Sequence, residues 1–176
     1  MPVNATKEIT TLWRNLHSVQ DENCKTFYRW RETALDVAGP GVQPLDVALK
    51  AAVIFGQEIG KSFLPRLNWL KGPEAFLQSL AGLLAGSWAT EGALTRVEKG
   101  EKPNELFIHC TRDPWPSVAK DYGVPMEEVA LTRERIFQTI LEDVSVFFNI
   151  KLGIEMLKAI PRGHGLYLFR LYAVEG

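Results

Sequence analysis

The sequence predicts an α+β domain: N-terminal helices, then a ββαββ order whose four strands form an antiparallel sheet covered by helices. Three observations lead there. Up to about Thr90 the apolar residues recur at three- and four-residue steps, the period of amphipathic helices. Beyond it, two pairs of alternating apolar–polar stretches, each pair joined by a polar or glycine-rich turn, read as β-hairpins. One long helical stripe separates them. The 176 residues, 46% of them hydrophobic, suffice for a single domain with its own core. It spans 1–176, with a helical part over 1–90 and the ββαββ part over 91–176.

From Lys7 to about Val37, Ile9, Leu12, Trp13, Leu16, Val19, Cys24, Phe27, Trp30 and Ala34 keep helical spacing, in one long helix or two joined near Asp21. Gly39-Pro40-Gly41 ends it, and Pro44 keeps the link extended. The second helix carries Gly56 and Gly60 four apart on one face, a pairing that suits close helix–helix contact. Pro65 kinks or ends it. Pro73 opens a third helix to about Thr90, apolar around most of its girth and therefore expected to be buried. Ala93–Val97 and Glu105–Thr111 form the first hairpin, with Leu106, Ile108 and Cys110 on one face and Phe107, His109 and Thr111 on the other. Pro125 opens the long helix, whose first turn holds Glu127 and Glu128, favourable for the helix dipole. Val129, Arg133, Ile136, Phe137, Ile140 and Leu141 continue its stripe, while Thr132 to Arg135 read as a solvated charged run. A second hairpin, from Ile150 to Met156 and from Leu166 to Tyr172, closes the chain around Pro161-Arg162-Gly163-His164-Gly165.

Composition narrows the function. Twenty basic against 21 acidic residues leave a net charge of -1, which provides no footprint for nucleic acid or an anionic membrane. Two cysteines, both within apolar patterns, fit a reducing compartment, and no secretory signal precedes the first helix; the expected location is cytoplasmic. No apolar run is long enough to cross a bilayer.

The chemistry gathers where the first hairpin ends, from His109 through Tyr122. An imidazole, a thiol, two carboxylates and a guanidinium lie within fourteen residues there. Asp113, at a strand end and before Pro114, is the candidate general base, with a turn or helix cap as the rival role. His109 or His164 would be its proton partner, provided the two hairpin ends meet. Arg112 or Arg162 would hold a substrate carboxylate, and Trp115 and Tyr122 would line the pocket. Neighbours on a strand point to opposite sides, so His109 and Cys110 do not make a nucleophilic pair. Cys110 and Asp113 are half of a zinc pattern without its second half; no metal and no cofactor is expected.

Leu12-Trp13-Arg14, a strand ending in a Cys/Pro/Trp cluster, Gly123 to Glu128 and the closing Ile-Pro-Arg-Gly-x-Gly hairpin together resemble the L-2-amino-thiazoline-4-carboxylate hydrolase-like family. The pattern also resembles, more distantly, the 4-vinyl-reductase-type ligand-binding domain, whose fold is shared with trafficking-complex subunits. In the hydrolase-like pattern cysteines stand where this chain has Asp113, Ala130 and Leu166 or Tyr167, and an acidic residue where it has His164. The resemblance therefore implies the fold more than the reaction. It suggests a small-molecule-binding domain, a hydrolase acting on a C–N bond of a small carboxylated substrate. The alternative is a non-catalytic ligand-binding or accessory subunit. It would work as a homodimer, or docked on a partner enzyme, through the helices bearing Gly56, Gly60 and Trp88.

Overall fold

The computed structural model describes residues 5–174. Three helices, α1 (Ala5–Ala38), α2 (Pro44–Phe63) and α3 (Pro73–Thr90), precede the hairpin β1 (Leu94–Lys99) and β2 (Glu105–Arg112). Then come α4 (Trp115–Asp121), α5 (Met126–Phe148), β3 (Leu152–Lys158) and β4 (Tyr167–Ala173). The strands form one antiparallel sheet in the order β1-β2-β4-β3. The α+β prediction holds, and α1 is one uninterrupted helix.

Two features refine it. The proline-rich stretch after β2 holds a short helix, α4, because Pro116 lies in its first turn, where the missing N–H has no partner to lose. Secondly, the helices pack on one face of the sheet. Trp88 of α3 and Phe137 of α5 both meet Phe169 of β4 edge-on or tilted, within a core that includes Ile108, Cys110 and Leu171. The opposite face meets solvent through Arg96, Glu98 and Glu155: Arg96 pairs with Glu98 along β1, while Glu98 meets His109 and Glu155 meets Arg170 across the strands. The predicted alternation along β2 is thus realised, with Leu106, Ile108 and Cys110 buried together.

α2 lies against α5 with almost no side chain between them at Gly56. A Cβ there would come within 2.6 Å of Thr139 Cβ and 2.9 Å of the Ile136 carbonyl oxygen. At Gly60 the nearest atom, an Asp143 carboxylate oxygen, would be 3.3 Å away. The glycine pair therefore serves close packing inside the chain. Gly56, Gly60 and Trp88 are themselves buried in the domain, so any contact made by the helices that bear them runs through other side chains, such as the exposed Ile54 and Phe55 of α2. α5 ends at Asn149, whose left-handed backbone (φ 52°) turns the chain into β3.

Candidate functional site

Asp113 leaves β2 with its carboxylate turned inward, its side chain fully shielded from solvent. Oδ1 accepts a hydrogen bond from the Trp115 backbone N–H at 3.0 Å, capping the start of α4. Oδ2 lies 3.4 Å from Nη2 of Arg133, and the same nitrogen is 2.9 Å from Glu91 Oε2. Arg133 projects from the apolar stripe of α5, and its guanidinium lies over the rings of Trp88 and Trp115, 4.9 and 5.2 Å from their centroids. The cation is thus bracketed by two carboxylates at Nη2 and by two aromatic faces. Burial opposes its charge. Glu91 and Asp113 outweigh that and hold Arg133 protonated above the ordinary guanidinium range.

The thiols beside this triad are subdued. Burial, then the negative Glu91 and Asp113, push Cys24 up to about 12. Burial, then Asp113, push Cys110 up to about 12 as well, and its Sγ–H donates to the Arg112 carbonyl at 3.0 Å. Neither is a nucleophile at neutral pH. Burial likewise raises Tyr28 and Tyr167 well above the usual phenol range.

The predicted walls do converge. Trp115 meets Phe27 at 4.9 Å and Tyr28 at 5.8 Å, and Tyr122 stacks on Tyr28 at 5.7 Å. Between Phe27, Tyr28, Trp115, Thr132 and Arg133 remains a cavity of about 10 Å³, room for one water at most. Ligand sites are commonly of a few hundred Å³ or more.

The other predicted residues are engaged elsewhere. The hairpin ends meet at the level of the backbone, since Cys110 pairs with Tyr167. Their side chains do not join into one site. Nε2 of His109 contacts Glu98 at 2.8 Å on the outer face of the sheet. His164 is exposed and folds onto its own turn, Nδ1 accepting from the Ala159 N–H at 3.2 Å. Arg162 donates twice to Glu127, at 2.9 and 2.6 Å, which lowers that carboxyl below its ordinary value. Arg112 is exposed, 3.5 Å from His17. Among the described residues no group of three or more His, Cys, Asp or Glu could hold a metal ion, and no helix is long and apolar enough to cross a membrane.

Sequence reasoning missed two buried arginines. Arg133 stands four residues after Val129 and four before Phe137, and that place in the apolar stripe was the signal that it is not part of a solvated run. Arg31, four residues after Phe27, makes a bidentate pair with Glu128 at 2.5 and 2.7 Å, with both side chains buried. It ties α1 to the first turn of α5.

No family model matches the chain, and no curated protein matches it. The hydrolase-like resemblance thus has no family model behind it. Among solved structures, the chain is similar to a trafficking protein particle complex subunit 3 from Naegleria fowleri covalently bound to palmitic acid. The identity is 12% and the TM-score 0.45, with 87% of this chain and 96% of that chain covered. That is a distant likeness of fold to a trafficking-complex subunit, and it says nothing of what this chain binds.

Proposed function

We propose that this chain is a non-catalytic accessory subunit, an α+β module that works by contact with protein rather than by turning over a small molecule. One observation supports the reading above the others: the carboxylate best placed to be a general base is already committed. Asp113 caps α4 and neutralises Arg133, with only a water-sized cavity nearby. A general base must reach a substrate proton, directly or through one water. The hydrolase reading also needs a free His109 or His164 beside Asp113, and these hold Glu98 and their own turn; of its two candidate carboxylate holders, Arg162 is paired with Glu127 and Arg112 lies out at His17.

The test is to incubate the purified protein with L-2-amino-thiazoline-4-carboxylate and a panel of small carboxylated amides, beside Asp113→Asn and Asp113→Ala variants. No turnover above the variants is expected, and Asp113→Ala should melt several degrees lower. Turnover that vanishes in Asp113→Asn at an unchanged melting temperature would overturn the proposal and restore the enzyme.

A further inference from the structure

We infer that the first half of α1 is the seam of a homodimer, in which two copies pair antiparallel through Ile9, Leu12, Leu16 and Val19. This goes beyond the accessory reading and holds whether or not Asp113 is catalytic. α1 is buried against the body from Gln20 onward, through Gln20, Cys24, Tyr28 and Arg31, and ahead of that His17 reaches Arg112 at 3.5 Å. Ahead of that point, Ile9, Leu12, Trp13, Leu16 and Val19 are between 45% and 67% exposed.

The spacing is ordered. Ile9, Leu12, Leu16 and Val19 fall at alternating three- and four-residue steps, the a and d positions of a heptad, with Trp13 alongside. On these fractions the five residues leave on the order of 500 Å² in water, towards the upper part of the range of a monomer's largest apolar patch and the larger share of the roughly 800 Å² per partner of a stable dimer. The polar residues around the stripe supply the remainder.

A second copy fits this stripe better than a bilayer does. Arg14, Asp21 and Glu22, exposed on the same helix, are of mixed sign, whereas a helix that lies on a membrane carries a basic polar face. Antiparallel overlap over 9–19 sets Ile9 across from the partner copy's Val19 and Leu12 across from Leu16, so one patch complements itself about a two-fold axis. The two bodies then lie at opposite ends of the pair.

Sedimentation velocity on the full chain at micromolar concentration tests this, with Leu12→Glu/Leu16→Glu as the variant and circular dichroism as the fold control. The expected species is a dimer, twice 19.8 kDa. The double variant should dissociate at least roughly a hundredfold more readily, since two seam leucines are lost from each copy. Its melting temperature, read at a dilution where both proteins are monomeric, should match the parent, because the replaced side chains touch solvent. A monomeric parent, or a dimer indifferent to the double substitution, would overturn the inference. So would a monomer that pellets with phosphatidylcholine vesicles and loses that binding in the variant, which would assign the stripe to lipid. None of these outcomes depends on the turnover assay that judges the accessory reading.

Discussion

Asp113, Arg133 and Glu91 show how a residue suited to catalysis becomes structural. Removing one member of a buried charge cluster strands the others. Asp113→Ala should therefore lower stability by about 3 kcal/mol, whereas Asp113→Asn, which keeps an acceptor for the Trp115 N–H, should lose less. Urea unfolding followed by tryptophan fluorescence distinguishes the two. The thiols make a second prediction. In the unfolded chain Cys24 and Cys110 ionise near 9, and in the native state only near 12. Above pH 9 the unfolded state therefore holds fewer protons than the native state, and stability falls as pH rises. The contribution is complete below pH 9 and lost by about pH 12, with Tyr28 and Tyr167 acting in the same direction further up. Cys24→Ala/Cys110→Ala should flatten the alkaline slope of the urea midpoint. In the parent, neither thiol should react with a disulfide reagent at pH 8 until the protein unfolds.

At the scale of elements, the α2–α5 contact and the Arg31–Glu128 pair hold the helical layer together. Gly56→Ala would push a methyl group onto Thr139 Cβ and the Ile136 carbonyl, so the helices must separate, at an expected loss of about 2 kcal/mol. Gly60→Ala meets a movable carboxylate at 3.3 Å, with Asp143 Cβ at 3.4 Å and Ile140 Cα at 3.6 Å in ordinary contact, and the helix propensity of alanine, worth roughly 1 kcal/mol, should leave it neutral or slightly stabilising. Denaturant midpoints for the two variants check the contrast, and equal losses would contradict it. Arg31→Ala strands Glu128 and should cost about 3 kcal/mol. If α1 docks as described, its amides should also exchange faster in that variant.

For the whole molecule, burial separates two electrostatic regimes. Inside, Arg133 and Arg31 sit in satisfied clusters that salt barely reaches. Outside, Arg162–Glu127 is exposed and modest in effect. Glu127 titrates below its ordinary value of 4.5 in the native state, so the pair stabilises the fold above that pH and is lost as pH falls through the depressed value. Arg162→Ala should therefore differ from the parent by less than about 1 kcal/mol at pH 7, and the difference should shrink in acid. A larger gap at pH 7 would mean that Arg162 does more than hold the β3–β4 turn to α5.

The order of elements was legible because it rests on local periodicity: the helical steps of α1, α2 and α5, the alternation of β2 and the prolines that open α3 and α5 all act within one segment. Asp113 too was recognisable as the residue to watch, from its place at a strand end before Pro114. Its role was not. That depended on Arg133 and Glu91, which lie 20 residues after it and 22 before it in the sequence and meet only when α5 and the end of α3 close over β2. The partners of His109, His164 and Arg162 were hidden for the same reason, as was the difference between Gly56, pressed on α5, and the apolar stripe of α1, which stays largely exposed. Sequence by itself determined which segments are helix and strand and which side chains have chemistry to offer. Tertiary structure alone decided which of those side chains are already satisfied, because a charge or an apolar face is available only if no distant segment has folded against it.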